Sequence, residues 1–260
     1  VSGLTRGMSG SATYADLIAV DWGTSNLRAW AMRDDTPVAE AGSDKGMGQL
    51  DRDQFEAALL ELIDPWLGGG TTPVMACGTV GARQGWIEAP YASVPCPPVG
   101  PNAVSAQASD PRIAVTILPG LSQSTPPDVM RGEETQIAGF LAETPEFDGI
   151  LCLPGTHTKW VQISAGEVVS FRTYMTGEMF ALLSTQSVLR HSMDDAFDLD
   201  TFRAAVRDGM SDPQALAGRF FSLRAEGLLS APAKGAAKAA KFPKGLLDWI
   251  IKKRIQKLGK

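Results

Sequence analysis

Residues 17–30 read LIAVDWGTSNLRAW. A short apolar run, Leu17 to Val20, ends on the acid Asp21. The small-residue turn Gly23-Thr24-Ser25-Asn26 follows, and a second apolar stretch carries Arg28 inside it. Period-2 alternation on both sides of a Gly-containing turn predicts a β-hairpin. The turn offers backbone N–H groups and three small polar side chains beside one carboxylate. That set suits a nucleotide phosphate with its magnesium: the amides around Gly23, Thr24 and Ser25 form an anion nest, and Asp21 can hold the metal directly or through water. An ordinary hairpin whose Asp and Asn serve turn chemistry fits the same residues.

Outward from this hairpin the pattern alternates strands and helices. Strands are expected at 17–21, 26–33, 37–42, 73–77, 113–118, 149–153, 159–164 and 167–173. Helices are expected at 52–66, 132–142, 177–190, 198–207 and about 212–226. In the first helix, Phe55, Leu59, Leu62, Ile63 and Trp66 recur at helical spacing, with Asp51 or Asp53 as cap. The Pro-rich stretch 89–101 and residues 122–128 read as loops. Interleaved strands and helices indicate an α/β fold with mixed sheets.

Two further stretches carry chemistry. In VMRGEETQ (129–136), Glu133 and Glu134 stand at a helix start, where the dipole favours carboxylates, with Arg131 as a surface partner. In LPGTHTKW (153–160), an apolar strand runs into Gly155-Thr156 before a second strand begins near Lys159. The Walker spacing is absent. Gly155 allows close backbone approach and the Thr156 hydroxyl can donate a hydrogen bond. His157 and Lys159 can add positive charge there; a turn histidine and a solvated strand lysine are the plain alternatives.

Taken in order, these stretches resemble the sugar kinase, Hsp70 and actin superfamily, and in particular the 2-dehydro-3-deoxygalactonokinase family. The resemblance runs from about Ala15 to Leu229. It also includes MACGTVGARQGWIEAPY (75–91), ILPGLS (117–122) and FRTYMTGEMFALL (171–183). It implies a ribonuclease H-like, actin/sugar-kinase two-lobe fold, with a first lobe over 15–145 and a second over 146–229. The implied reaction is phosphorylation of 2-dehydro-3-deoxy-D-galactonate at its terminal hydroxyl by ATP with Mg2+, in galactonate degradation. Asp21 would then sit in the first phosphate motif as magnesium partner. Glu133, or second Glu134, would take the proton of the attacking hydroxyl, and Gly155 and Thr156 would wrap the β- and γ-phosphates. A carboxylate suffices as base because phosphoryl transfer depends mainly on alignment and charge stabilisation.

An anionic keto acid needs a cationic or multi-amide partner for its carboxylate, and arginine offers bidentate geometry. Candidates are Asn26, Arg28, Gly81, Trp86 and Arg131. Gly78, Gly81 and Gly85 would let backbone amides approach the substrate, and Trp86 would wall the pocket, although a core tryptophan is the commoner role. In TYMTGEMF (173–180), Thr176 is expected to cap a helix with Glu178 in its first turn.

Composition bounds the rest. With 260 residues and 44% hydrophobic content, a real core is affordable. No apolar run is long enough to cross a membrane, and residues 1–14 read as a disordered leader without a signal-peptide core. Cys77, Cys96 and Cys152, with two histidines, form no zinc pattern and read as thiols of a reducing cytoplasm. Residues 231–260 hold nine basic side chains and one acid, a net of +8, against 15 basic and 28 acidic groups, or −13, in the other 230. So acidic a body disfavours nucleic acid; homo-oligomers are left open.

Within the tail, Leu247, Ile251, Ile255 and Leu258 share one helical face opposite Lys252, Lys253 and Lys257, the pattern of a basic amphipathic helix. The family would continue after Leu229 with an adenosine-binding loop, so the second lobe is expected to be incomplete. An aberrant terminus, docking on the shortened lobe, or binding to an acidic membrane surface or partner are the readings of 230–260. Two other functions compete with the kinase: a sugar-acid-binding protein without a complete nucleotide site, and a superfamily phosphotransferase for another hydroxy acid.

Overall fold

The computed structural model describes residues 14–192 and 198–229; the expected leader, apart from Tyr14, and the expected basic tail lie outside them. Alternation builds the first strand, β1 (Leu17–Trp22): Ile18, Val20 and Trp22 turn inward, while Leu17, Ala19 and Asp21 take the other face. The expected hairpin forms. β1 pairs antiparallel with β2 (Leu27–Arg33), with Asp21 opposite Arg28 and Trp22 opposite Leu27, and Gly23 N–H donates to Asn26 O at 2.9 Å to close the turn.

β2 continues into β3 (Thr36–Ser43) through Asp34 and Asp35, both left-handed (φ 48° and 61°), a conformation that Asp tolerates in tight turns. α1 (Phe55–Ile63) then leads to β4 (Thr72–Gly78), which pairs parallel with β1. β5 (Tyr91–Ser93), β6 (Val104–Ala106), β7 (Ile113–Ile117), β8 (Gly120–Ser124) and β9 (Pro127–Met130) follow. The main sheet has the order β3-β2-β1-β4-β7-β6, with parallel β1-β4-β7 at its centre and antiparallel strands outside. A smaller sheet has the order β5-β8-β9. The fold class is therefore α/β with mixed sheets, as expected.

α1 buries Phe55, Ala58, Leu59 and Ile63 against this sheet. Trp22, Phe55 and Trp86 form an aromatic trio with ring centroids 5.1, 6.2 and 6.3 Å apart, spacings at which aromatic pairs add about 1 kcal/mol each beyond burial. α2 (Glu133–Glu143) closes this part of the chain, burying Ile137 and Leu141.

Beyond it, β10 (Gly149–Leu153), β11 (Thr158–Ser164) and β12 (Glu167–Tyr174) make a three-stranded sheet in that order. α3 (Thr176–Thr185), α4 (Leu199–Ser211) and α5 (Leu216–Leu229) follow. Asp198 caps α4 by accepting from Thr201 N–H at 2.7 Å. Two compact units result. One holds the chain to Ile150 together with Val161–Phe171; the other holds Leu151–Trp160 and the chain from Arg172.

Several local expectations are corrected. Neither Asp51 nor Asp53 caps α1: residues 51–54 form a turn in which the Gln54 side chain accepts from Asp51 N–H at 2.8 Å, and the helix starts only at Phe55. The 122–128 loop is mostly the β8–β9 hairpin, with Pro127 at a strand's first position, where a ring in place of an N–H does least harm. β5 lies inside the Pro-rich 89–101. The helix expected over 177–190 ends at Thr185, where hydroxyls of Ser184, Thr185 and Ser187 donate back to the helix carbonyls of Ala181 and Leu183.

Two glycines give opposite expectations. Gly78 has φ +97°, and a Cβ there would lie 2.5 Å from Trp22 O; Gly78→Ala should lower stability by roughly 2–4 kcal/mol. Gly139 is an exposed α2 residue with nothing within 4 Å of a Cβ, so Gly139→Ala should raise stability by roughly 0.5–1 kcal/mol. Urea unfolding of both variants checks the signs; a neutral Gly78→Ala would contradict the packing described.

Candidate active site

Parallel pairing sets Asp21 beside Cys77 and Trp22 beside Gly78 at the C-terminal ends of β1 and β4. Beyond Asp21, the 23–26 turn rests on residues 46–48. Met47 N–H donates to Gly23 O and Gly48 N–H to Thr24 O, both at 2.9 Å. A Cβ on Gly46 would come within 2.4 Å of Thr24 O, so only glycine fits under the turn. The carbonyls of Gly23 and Thr24 are thus engaged from below, and Thr24, Ser25 and Asn26 are exposed.

The Asp21 side chain keeps 40% of its surface open, with Arg28 Nη1 at 3.8 Å. Desolvation raises its pKa above the usual carboxylate range, and the Arg28 charge opposes that rise. Gly132, at φ +105°, packs so closely on the end of β4 that a Cβ there would stand 3.2 Å from Gly78 Cα. This contact delivers the start of α2 to the same place. Burial, together with the neighbouring Asp21 and Glu134 charges, pushes the Cys77 thiol up to about 12, with Thr135 hydrogen-bonding to it. Asp21, Cys77 and Glu134 therefore converge, and Cys77 is an inert thiol among carboxylates.

The two glutamates differ. Glu134 is 1% exposed; its Oε2 accepts from Gly132 N–H at 2.6 Å and its Oε1 from the Thr135 hydroxyl at 3.2 Å. Burial lifts its pKa to about 7 despite the backbone hydrogen bonds that lower it. Glu133 is half-buried, and its Oε2 accepts from Arg131 N–H at 3.1 Å. One carboxylate is sealed and near neutrality; the other keeps a route to solvent.

Arg131 is not a surface residue. Its guanidinium lies 4.2 Å over the Tyr91 ring, Nη2 donates to Ala89 O at 2.8 Å, and Nε and Nη1 are buried without a hydrogen-bond partner among the described residues. The space a Gly81 side chain would need is taken by Arg131 Nη1 at 2.8 Å and Ile117 at 2.9 Å. Gly85 likewise yields to Val80 O at 2.1 Å. The close approaches that require Gly78, Gly81 and Gly85 are thus internal ones, and Trp86 is half-buried in the aromatic trio.

In the second unit, the 155–158 turn is tied to the start of α3. A Cβ on Gly177 would meet Gly155 O at 2.6 Å and Thr156 Cα at 2.9 Å, and Glu178 N–H donates to Thr156 O at 3.1 Å. Thr176 does not cap α3; its hydroxyl pairs with that of Thr158 at 2.5 Å, and Met175 holds the cap position. His157 Nε2 meets Glu178 Oε2 at 2.6 Å in the open. Lys159 is buried, 5% exposed, with Nζ donating to Thr173 Oγ1 at 2.8 Å, so the solvated-lysine alternative is excluded. The roles of Thr158, Thr176 and Gly177 were missed from sequence, although TGE at a helix start was their signal.

A family model described as 2-keto-3-deoxy-galactonokinase matches residues 21–247. The chain belongs to this family. A Rhizobium meliloti (strain 1021) protein assigned as a 2-dehydro-3-deoxygalactonokinase is 36% identical over 228 residues, which is 85% of this chain and 74% of that protein. The Escherichia coli (strain K12) 2-dehydro-3-deoxygalactonokinase is 35% identical over 236 residues, 90% of this chain and 78% of that protein. A crystal structure assigned as a 2-dehydro-3-deoxygalactonokinase protein from Sinorhizobium meliloti superposes with a TM-score of 0.75 at 35% identity, covering 86% of this chain and 74% of that one.

The family match extends past Leu229, where the resemblance was expected to end, so residues 230–247 lie inside it and only 248–260 fall after it. Among the described residues, Cys77 and Cys96 stand outside any disulfide. Among the described residues no helix is long and apolar enough to cross a membrane.

Glu134 gives the chain a measurable pH dependence. Its value is about 7 in the folded chain against an ordinary 4.5, so between these pH values the folded chain holds a proton that the unfolded chain has released. Its stabilisation is complete below pH 4.5 and is lost as pH rises through 7, by ~3 kcal/mol in all. Urea unfolding from pH 4.5 to 7.5 should show a flatter profile for Glu134→Gln than for the parent chain; parallel profiles would contradict the buried carboxyl.

Proposed function

We propose that this chain transfers the γ-phosphoryl group of ATP to the terminal hydroxyl of 2-dehydro-3-deoxy-D-galactonate, and that its two units are the lobes of an actin-like sugar-kinase fold. The observation that carries this reading is the convergence of Asp21 and the α2 glutamates beside the exposed small-residue turn. That brings an acid for a metal, an acid for a proton and a turn for phosphate into one unit. Membership of a sugar-acid kinase family supports it.

Phosphate contacts are assigned to the turn at Gly23, Thr24 and Ser25, and to Gly155 and Thr156 with positive charge from His157 and Lys159. Among the described residues no group of three His, Cys, Asp or Glu side chains is placed to cage a metal. A single half-open carboxylate fits magnesium that arrives with nucleotide phosphates and keeps its waters. Asp21 is the residue to hold it, and burial without enough compensating charge is what a dication would relieve. Bound there, magnesium would neutralise charge on the β- and γ-phosphates.

In the transfer, the substrate hydroxyl oxygen forms the new bond to phosphorus, the bond to the ADP oxygen breaks, and the hydroxyl proton passes to Glu133. Glu133 is favoured over Glu134 because it keeps access to solvent. Exposed Asn26 and Arg28 are assigned to the sugar acid, with Arg28 facing its carboxylate. Gly81 and Trp86 would shape that side from beneath.

Coupled ADP release with this sugar acid tests the proposal. Glu133→Gln and Asp21→Asn should each lower kcat at least about 100-fold, while calorimetry still detects sugar-acid binding. Release no faster than the Glu133→Gln control would overturn the kinase reading and leave a sugar-acid-binding protein.

A further inference from the structure

The MRGEE stretch places a half-buried cation directly before the two glutamates, and its surroundings decide between two uses. One is reception of the substrate carboxylate; the other is support of the base. Nε and Nη1 are buried and have no hydrogen-bond partner among the described residues. Leaving such donors unmade in the interior costs on the order of 1–3 kcal/mol each, so the residue needs a reason to be arginine. Reception fits poorly. Nη2 is the nitrogen shared by both bidentate edges of a guanidinium, and Ala89 O already takes one of its protons. The remaining nitrogens face Gly81, Ile117 and the Tyr91 ring.

The backbone of the same residue tells more. Arg131 N–H donates to Glu133 Oε2 and Gly132 N–H to Glu134 Oε2, so the peptide units of 131 and 132 orient both carboxylates. That backbone is pinned from one side by the Gly132–Gly78 contact. On the other side it is pinned by the Arg131 side chain, locked between the Ala89 carbonyl, the Tyr91 face and the cleared space over Gly81. A planar cation stacked on an aromatic face holds one orientation, which a flexible apolar side chain would not.

We propose that Arg131 is a positioning residue: its guanidinium clamps the start of α2 to the 81–91 segment, and so fixes the backbone donors that aim Glu133 at the attacking hydroxyl. This rests on the kinase reading, but part of its test does not. In Arg131→Met, kcat should fall on the order of 30- to 100-fold, as small misplacements of a catalytic group do, while KM for the sugar acid changes less than about threefold. Arg131→Lys, which keeps a cation over Tyr91 without the planar fork, should recover part of the loss. Tyr91→Leu, at a partly exposed residue, should give a smaller fall of the same kind should Arg131→Met fold poorly. Independently of turnover, the amides of residues 131 and 132 should exchange with deuterium at least about tenfold faster in Arg131→Met.

A tenfold or larger rise in KM for the sugar acid at unchanged kcat would overturn the proposal and make Arg131 the carboxylate receptor. Unchanged kcat with unchanged amide exchange would also overturn it. If the parent chain shows no turnover, the kinase reading fails while the exchange measurement still decides the clamp.

Discussion

Everything at the candidate site depends on how closely two backbones approach at the end of β4. Gly78 lies against Trp22 on one side and Gly132 on the other, and a Cβ at either glycine would collide or crowd. Parallel pairing of β1 with β4 fixes Asp21 beside Cys77, and the glycine–glycine contact fixes the α2 start beside both. Backbone geometry brings the acids together, the Arg131 contacts to Ala89 and Tyr91 brace the start of α2, and the packed aromatic trio beneath β1 holds the strand end still.

Electrostatics follow from this packing. Asp21 and Glu134 are both raised by desolvation, and both charges act on Cys77. A cluster of acids in a poorly solvated corner favours any state that removes negative charge, by a proton or by a cation. The Arg28 pair, largely open to solvent, compensates only in part. On the proposed function this corner would receive a nucleotide-borne magnesium; burial leaves Glu134 near 7 while Glu133 stays half-exposed. The second unit shows a comparable economy of means: Gly177 lets the α3 start rest on the Gly155-Thr156 turn, so a helix terminus and that turn share one close contact.

Much of this was legible in the sequence where local pattern decides structure. The LIAVDWGTSNLRAW hairpin follows from alternation around a glycine turn, and the α2 start follows from acids preceding an amphipathic run. The remainder turned on partners distant in sequence. Whether Arg131 faces solvent depends on Tyr91 and Gly81, forty or more residues away. Lys159 stays open between a charge at the turn and a solvated strand residue until its Nζ is found donating to Thr173 Oγ1. The cap of α1 was misread because residues 51–54 form a turn ahead of the helix, with the Gln54 side chain accepting from Asp51 N–H, so neither Asp stands at the cap position. The β8–β9 hairpin was hidden by prolines, which argue against a strand unless they fall at its first position. Glycine roles were the hardest to assign, since a glycine that admits a ligand and one that admits a neighbouring strand look alike in sequence.

The central claim is that this corner carries phosphoryl transfer to the terminal hydroxyl of a keto-deoxy sugar acid. Phosphorus NMR of the chain with ATP, magnesium and 2-dehydro-3-deoxy-D-galactonate tests it most directly. The account predicts loss of the ATP γ resonance, growth of ADP, and a phosphomonoester signal split by two methylene protons. Inorganic phosphate in place of that ester, a signal coupled to a single methine proton, or an unchanged ATP spectrum would contradict it.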